Sequence, residues 1–397
     1  MKFIKLLLVA ALASLITGQL IRMPLSSSSG AVTVTDFLVL TVDAVFLIYA
    51  FSLKKALNLP PKITLPAALF MLAATSSLVL AANNFSFGEI IVSSLFLVRF
   101  VIYFFLFVVF FNIVRKKEIA SWINIMLVIS IIFITFGFIQ LLVFPDFSSL
   151  TQFGWDPHVK RITSTLLDPN FSGAVFVIIC AFSISMYLFL KKKIYLATFL
   201  ISFLALMLTF SRSSYLTFLA VILTIGLLRS PKMLFAVLTI FIFVLLSFSQ
   251  FRSRVIGAFT LDETAQARIE SWRNAIVIFK DHPFFGVGFN TYRFAQAQYG
   301  LFSFDQPEGG HSGAGVDSSL LLVAATTGVF GLGLFLFLIV SVLTTFAKNA
   351  KSNYLSLGSL ASFFGLLVHS QFVNSLFFPQ IMLLLFFMLG LVIRNDT

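Results

Sequence analysis

The chain has 397 residues, of which 59% are hydrophobic and only 11% are charged. Soluble domains carry about a quarter charged residues, so this composition excludes an ordinary soluble protein, and 52 Phe residues exclude a disordered one. A single cysteine, Cys180, excludes a disulfide framework and a zinc cluster of thiolates. The net charge of +12 does not indicate a nucleic-acid partner, because membrane proteins carry excess cations in their cytoplasmic loops. The composition therefore predicts an all-α protein that crosses the lipid bilayer many times.

A membrane-spanning helix needs about 20 apolar residues, and charged residues divide this chain into twelve such segments. The predicted spans are Phe3–Ile21, Ala31–Phe51, Ile63–Ala82, Ile90–Val114, Trp122–Phe144, Ala174–Leu190, Ile194–Phe210, Tyr215–Leu228, Met233–Phe248, Leu320–Phe346, Leu355–Leu376 and Ile381–Ile393. The eighth and twelfth are short enough to be tilted or re-entrant. The first resembles a secretory signal, but the many apolar segments after it favour an uncleaved span.

The cations predict which side of the membrane each loop faces. One set of alternating loops carries 16 Lys and Arg residues, and the opposite set carries ten. By the positive-inside rule the first set faces the cytoplasm, which places both termini inside. The second set contains eight Arg and two Lys: Arg22, Lys160, Arg161, Arg212, Arg252, Arg254, Arg268, Arg273, Lys280 and Arg293. Since arginine grips phosphate or carboxylate with two parallel bonds, the outer arginines predict an anionic ligand on that face.

Two of the predicted outer loops are long, spanning residues 145–173 and 250–318. A long connection in a compact fold is usually functional. The chain is accordingly divided into residues 1–144 with the first five spans, 145–346 with both long loops, and 347–397 with the last spans. No internal repeat is visible at the half-chain point, where a major-facilitator transporter would show one.

The first long loop holds a turn, Asp168–Asn170, that is predicted to start the sixth span. Asn170 or Ser172 is the expected N-cap, and this structural role is at least as plausible as a catalytic one. Arg161 could reach a ligand at this helix end. His158 has no obvious partner and is expected to be solvated.

A second motif, Thr209–Ser214, forms a tight corner between the seventh and eighth spans. Arg212 follows eighteen uncharged residues and is flanked by small hydroxyl side chains, so a ligand can approach it closely. The charge could also simply mark the membrane interface. The pattern favours a functional arginine.

A third motif, Ala267–Asn290, has apolar residues at helical spacing and predicts an amphipathic helix on the membrane surface, ended by Pro283. Arg268 and Trp272 are one turn apart, so a cation–π pair is the structural alternative to ligand binding by Arg268. His282 is expected to be a helix-end residue rather than a base.

The fourth motif, Glu308–Ser319, places His311 among four glycines just before the tenth span. An unperturbed histidine titrates near ~6.5, which suits a general base, although a solvated loop histidine is the alternative. Asp317 is expected to be the N-cap of the next helix rather than a partner of His311.

Charged or titratable side chains also occur within the predicted spans, at Asp43, Arg99 and His369. Because an unpaired charge in lipid is costly, Asp43 and Arg99 are a possible structural pair. The sequence assigns no role to His369.

Taken together, these motifs resemble the O-antigen ligase and polymerase family of bacterial membrane glycosyltransferases. The residues that carry the resemblance are Arg161 with Asp168-Pro169-Asn170, Ser211-Arg212, Arg268 with Trp272, His282-Pro283 with Gly286-Val287-Gly288, His311, and the stretch Ala325–Gly331. The resemblance covers residues 155–346, and the first part of the chain matches in hydropathy alone.

The resemblance implies transfer of a glycan from a polyprenyl diphosphate carrier to an acceptor hydroxyl, at the outer face of the bacterial cytoplasmic membrane. Acceptors in the family are the lipid A core, another glycan chain or, in some branches, protein. The resemblance makes His311 the catalytic base and Arg212 and Arg268 the diphosphate-binding pair, with Arg161 as a weaker candidate. Supporting positions are Asp168, Asn170, Trp272 and Asp317.

The expected reaction needs no metal or other cofactor. A glycosyl diphosphate already carries a good leaving group, so arginines can neutralise the developing charge while a histidine deprotonates the acceptor. The chain has no D-x-D motif, and its outer carboxylates are scattered. These features favour single-displacement transfer with inversion at the anomeric carbon.

Three alternatives stay open at this point. A polysaccharide polymerase of the same family would share every motif, and neither the acceptor nor the sugar can be read from the residues. A transporter or flippase for lipid-linked glycans belongs to another class, but its cations should line the membrane interior. A sensor module that binds anions would leave His311 without a task.

Overall fold

The computed structural model describes residues 1–24, 30–153, 155–303 and 315–396, apart from the side chains at 255, 258 and 259. In this part of the chain the regular structure is almost entirely helical, which confirms the all-α prediction. The helices are α1 (Lys2–Ala13), α2 (Val34–Ser52), α3 (Pro61–Leu80), α4 (Phe87–Ile113), α5 (Ile119–Val143), α6 (Pro169–Leu190), α7 (Lys193–Met207), α8 (Arg212–Leu228), α9 (Pro231–Ser247), α10 (Ser249–Phe259), α11 (Glu263–Asp281), α12 (Tyr292–Gln298), α13 (Ser319–Ala347), α14 (Tyr354–His369) and α15 (Pro379–Asp396). A short antiparallel hairpin joins β1 (Arg22–Pro24) to β2 (Ala31–Thr33).

Seven helical segments of the described chain are long and apolar enough to cross a membrane. They are α2, α3 to Ala81, α4, α5 with the turn before it from Lys116, α6, α13 and α15. Four shorter apolar helices, α7, α8, α9 and α14, accompany them. The prediction of a polytopic membrane protein is confirmed, while the count of twelve spans stays a prediction. The first predicted span is shorter than expected, because α1 ends at Ala13 and turns follow, with Gly18 at φ +52°.

The chain folds as two compact units. The first unit comprises Met1–Ile129, Ser271–Val342 and Phe377–Thr397. In it α4 packs against α2, α3 and α15. Aromatic rings fill this interface: the rings of Phe104 and Phe386 meet edge to face at 5.7 Å, and those of Phe110 and Phe387 at 4.9 Å. Such ring pairs add to the stabilisation from buried apolar area.

The expected pair between Asp43 and Arg99 is wrong. Arg99 on α4 instead binds Asp36, with its Nε 2.8 Å and its Nη2 2.9 Å from the two carboxylate oxygens. Asp36 also accepts from Tyr103 and forms a capping box with Thr33 at the start of α2. Asp36 lies at a helix N-terminus, where backbone N–H groups stabilise a carboxylate, so it is the better partner for the guanidinium. Both carboxylate oxygens of Asp43 are buried without a hydrogen-bond partner among the described residues.

Helix α13 is broken at Gly328, where φ is +64° and ψ is −167°. The turn after α11 fills the break: Val287 and Gly288 donate backbone N–H groups to the carbonyls of Ala325 and Thr326, both at 3.0 Å. Beyond the break, Val329 donates to the Pro283 carbonyl at 2.8 Å. The turn therefore satisfies carbonyls that a broken helix leaves without intrahelical partners.

Two glycines make this docking possible. A Cβ atom on Gly286 would overlap the backbone of Thr326, and one on Gly328 would overlap the carbonyl of Phe284. The hydroxyl of Ser77 on α3 lies within hydrogen-bonding distance of the carbonyls of both Phe285 and Thr326 and can donate to either. The glycine motifs of the sequence thus have a packing role within the first unit.

The second unit comprises Ser130–Glu270 and Leu343–Leu376. Helix α6 lies at its centre and packs against α7, α8 and α14, while α8 packs also against α9 and α10. Small residues allow close approach: Gly173 of α6 lies against Ser214 of α8, and Gly365 of α14 against Val221.

The predicted amphipathic helix is confirmed as α11, which ends two residues before Pro283. Its buried residues are Ala275 and Ile278, which join the apolar core of the first unit. Ile269 and Ile276 are exposed. The placement of this exposed apolar side on a membrane surface stays a prediction.

We expect Gly328→Ala to destabilise the protein by at least about 2 kcal/mol, because the φ and ψ angles at this position are adopted essentially by glycine alone and the added methyl meets backbone. Gly333→Ala is the matched control, since a Cβ there meets nothing within 4 Å on the same helix. Thermal melting of the two purified variants in detergent measures the difference. Equal melting temperatures would contradict this account of the break.

Candidate functional site: an arginine cluster

The predicted corner between α7 and α8 is present in the second unit. Helix α7 ends at Met207, α8 begins at Arg212, and the Ser211 hydroxyl accepts a hydrogen bond from the Ser214 N–H as the N-cap of α8. Phe210 has a left-handed backbone with φ +49°. The corner therefore presents Arg212 from the first turn of a helix, with 12% of its side chain exposed.

Arg212 is held by Asp262 in a two-bond ion pair. Its Nη1 and Nη2 atoms lie 3.0 and 2.9 Å from the two carboxylate oxygens. Asp262 also accepts a hydrogen bond from the Ala265 N–H at the start of α11. Burial alone would raise the pKa of Asp262, but the bonds from Arg212 and Ala265 outweigh it and lower the pKa. The carboxylate thus stays ionised at neutral pH.

The expected N-cap of α6 is corrected by the structure. Asp168 is the cap, accepting from the N–H groups of Asn170 and Phe171 at 2.6 and 3.1 Å. The reason is Pro169, which has no N–H and fits the first position of a helix, so the cap must come before it. Asn170 is instead tied to the corner, since its side-chain oxygen accepts from the Ser211 hydroxyl at 2.7 Å.

Arg161 packs on the same corner. It donates to the carbonyls of Thr209 and Phe210, at 2.8 and 3.3 Å. Burial, and then the positive charge of Arg254, lowers its pKa to about 10. At neutral pH the guanidinium is still charged, and it lies in a place where further positive charge is unfavourable.

Arg161, Arg212, Arg254 and Arg268 together form what we call the arginine cluster. The charges of Arg254 and Arg268 act on Arg161, and those of Arg212 and Arg254 act on Asp262. Among the described residues, Asp262 is paired with Arg212 and the charge of Asp168 acts on Arg161. A site of this kind attracts an anion with more than one negative charge.

The sequence drew attention to Arg161, Arg212 and Arg268 but did not single out Arg254. Arg254 was counted among the outer cations only, because no motif surrounds it. It lies on α10, which ends three residues before Asp262, and its half-buried side chain belongs to the cluster. Its proximity to the corner is a tertiary property that spacing along the chain does not reveal.

His369 is a second residue without a sequence-based role. It lies fully buried at the end of α14, with its Nε2 3.4 Å from the Ser213 hydroxyl, next to Arg212. Ser213 also contacts the side-chain oxygen of Asn170 at 3.4 Å. His369 therefore contacts the first turn of α8, at Ser213.

His158 is half-buried rather than solvated, which corrects the expectation. One ring nitrogen of His158 and one carboxylate oxygen each from Asp156 and Asp168 lie within 4.8 Å of one another. Burial lowers the pKa of His158 to about 4, so the ring is neutral at physiological pH. Three such groups could hold a cation, but Asp168 already accepts two backbone N–H groups, and Arg161 and Arg254 lie nearby. The positive surroundings disfavour a metal ion.

The remaining predicted residues lie in the first unit or outside the described chain. His311 is among residues 304–314, outside the described residues. Trp272 donates its indole N–H to the Asp317 carbonyl at 3.0 Å, and the Asp317 N–H donates to the Ser271 hydroxyl at 3.0 Å. The sequence predicts Asp317 as the N-cap of α13, and the structure shows that this prediction is wrong.

The neighbouring Ser318 has the capping role, because its hydroxyl accepts from the Leu321 N–H and it immediately precedes the helix. A serine directly before the first helical residue is the preferred position for this bond. Asp317 instead joins the start of α13 to α11, through the bonds with Ser271 and Trp272.

Residues 197–336 match the family model described as O-antigen ligase, which confirms the resemblance read from the motifs. The matched region includes Arg212, Arg254, Asp262 and Arg268 of the second unit. A search of curated proteins found no match.

We expect chelation by EDTA to leave the activity of the purified protein unchanged, because the cations around Asp156, His158 and Asp168 disfavour a bound metal ion. The measurement compares glycan transfer before and after EDTA treatment and after addition of Mg²⁺ or Mn²⁺. Loss of transfer with EDTA and recovery with one of the metals would contradict this expectation.

Proposed function

We propose that this member of the O-antigen ligase family transfers a glycan from a polyprenyl diphosphate carrier to an acceptor hydroxyl. The observation that carries the proposal is the arginine cluster, in which Arg161 and Arg212 are held at the corner between α7 and α8. A diphosphate bears more than one negative charge and several acceptor oxygens. It is the part of such a donor that this cluster fits best.

Arg212 and Arg268 are proposed as the principal diphosphate-binding residues, with Arg161 in support. Two of the guanidinium groups have partners that set their position: Arg161 is fixed by the corner carbonyls, and Arg212 by Asp262. A guanidinium that is held in place needs little rearrangement when charge develops on the leaving group, which favours Arg161, whereas both terminal nitrogens of Arg212 are occupied by Asp262. Asp168 and Asn170 would position the corner, and Trp272 and Asp317 the start of α13.

The proposed reaction is a single displacement with inversion. His311 takes the proton of the acceptor hydroxyl while that oxygen attacks the anomeric carbon. The bond from the anomeric carbon to the diphosphate oxygen breaks, and its electron pair stays on the diphosphate. The arginine cluster neutralises the charge that forms there, so these groups complete the reaction without a metal ion.

The same charge pattern supports the proposed orientation. Sixteen cations in one set of loops support a cytoplasmic position for both termini and an outer position for the arginine cluster. The protein is then a multi-pass protein of the bacterial inner membrane, with lipopolysaccharide or surface-polysaccharide synthesis as its setting. A ligase and a polymerase would use the same chemistry and differ in the acceptor. The acceptor of a ligase is a core lipid, and that of a polymerase is another glycan chain.

His311→Ala is expected to abolish glycan transfer, since loss of a positioned general base lowers rates by about 10²–10⁴-fold. Binding of the donor should persist, because the arginines are intact. His282→Ala is the matched control: this histidine is exposed at the end of α11 and should leave transfer near normal.

The assay uses purified protein, a lipid-linked donor and an acceptor, with product detected by mass. Normal transfer by His311→Ala would remove the base from the proposal. A wild-type protein that moves the donor across liposomes without forming a glycosidic bond would make it a transporter.

Arg212→Lys and Arg268→Lys are each expected to lose nearly as much transfer activity as the alanine variants. A guanidinium binds two phosphate oxygens in a fixed geometry, whereas an ammonium is a point charge. Arg273→Lys, at an exposed position on α11, is the control and should retain activity. If both lysine variants kept full rates of transfer, bulk positive charge would explain the cluster and the paired-bond model would be wrong.

A further inference from the structure

The guanidinium groups of Arg161 and Arg212 already have strong partners. Arg161 donates to the carbonyls of Thr209 and Phe210, and Arg212 donates both terminal nitrogens to Asp262. In this state neither side chain can offer its full set of donors to a ligand. A diphosphate that enters the cluster must therefore find one free arginine or replace an existing partner.

Within the described part of the chain, Arg254 is an arginine of the cluster without a bonded partner. Among the described residues its side chain makes no hydrogen bond and no ion pair within 4.0 Å, although it is half-buried. It lies one turn before Gly257 on α10, and a Cβ atom on Gly257 would be 3.5 Å from the Nη1 atom of Arg212, so the helix that carries Arg254 packs against the Arg212 side chain. A partly desolvated guanidinium without a bonded partner is costly, and a bound anion would remove that cost.

Asp262 is the carboxylate that already binds Arg212. It offers Arg212 two oxygens in the planar arrangement that a phosphate group also offers. It is the more exposed partner, with 34% of its side chain accessible against 12% for Arg212. The backbone at Leu261 is left-handed with φ +51°, and the Asp262 N–H binds the Gly257 carbonyl at 3.0 Å.

We propose that Arg254 is a further diphosphate-binding residue and that Asp262 is an internal anion which the donor displaces from Arg212. The inference rests on the proposed function, because it concerns the same donor. The exchange forms no covalent bond: one carboxylate leaves the guanidinium of Arg212, and a phosphate group with more charge takes its place. Arg254 binds the incoming diphosphate while Arg212 changes partner.

The experiment measures binding of farnesyl diphosphate, a short-chain polyprenyl diphosphate, to the purified full-length protein by calorimetry. Farnesol, which lacks the phosphates, reports binding of the chain alone. Arg254→Ala should weaken farnesyl diphosphate binding by roughly 10- to 100-fold, as expected for loss of hydrogen bonds to a charged group. Arg252→Ala, at an exposed position on the same helix, is the matched control and should bind as the wild type does.

Asp262→Asn should tighten binding of farnesyl diphosphate by about fivefold, the size of one partly exposed ion pair. Asparagine is as good an N-cap as aspartate, so the start of α11 is kept and the melting temperature should change little. Asp146→Asn makes the same charge change at an exposed position and should have no effect. In an Arg212→Ala background the gain from Asp262→Asn should vanish, since no pair is left to compete.

Several results would overturn the inference. If Asp262→Asn weakened binding as Arg212→Ala does, Asp262 would be a positioning residue and the displacement would be wrong. If Arg254→Ala bound like Arg252→Ala, Arg254 would lie outside the site. Both results leave the proposed function standing, whereas wild-type protein that binds farnesyl diphosphate no better than farnesol would overturn the proposed function and this inference with it.

Discussion

A guanidinium group keeps its charge when it leaves water, so burial of an arginine is costly unless acceptors surround the guanidinium. This constraint determines the site. Arg161 donates to two backbone carbonyls of the α7–α8 corner. Arg212 pairs with Asp262, whose carboxylate also accepts a backbone N–H at the start of α11. The same constraint in the first unit brings Asp36 to Arg99. Pairing of this kind is weak evidence for stability but strong evidence for geometry, because each pair fixes where two distant segments meet.

Much of the fold could be predicted from the sequence, because apolar segments bounded by charged residues report directly on membrane-spanning helices. Local patterns also predict the corner at Arg212 and the amphipathic helix α11: a lone charge among small hydroxyl side chains after an apolar run, and apolar spacing ended by Pro283. The errors were local as well. The sequence predicts the cap of α6 after Pro169, whereas the structure has it before Pro169, at Asp168. The sequence predicts Asp317 as the cap of α13, whereas Ser318 has this role.

The partners of charged residues could not be predicted, because they come from segments far apart in the chain. Arg212 and Asp262 are separated by 50 residues, and Arg99 and Asp36 by 63. Several carboxylates were compatible with each arginine, and only the packing of helices selects among them. His369 is the extreme case, since a lone histidine in an apolar segment gives no sign that it will lie against the corner.

The break in α13 has a consequence for how the apolar length of this chain is used. A straight helix of 29 residues would be about 43 Å long, well beyond a hydrocarbon layer of about 30 Å. The residues after Gly328, Val329–Ala347, measure about 28 Å and match that thickness by themselves. The nine residues before the break are therefore not needed to span the hydrocarbon layer. Leu322 and Ala325 can therefore pack on Ile278 and Val287 instead of lipid acyl chains.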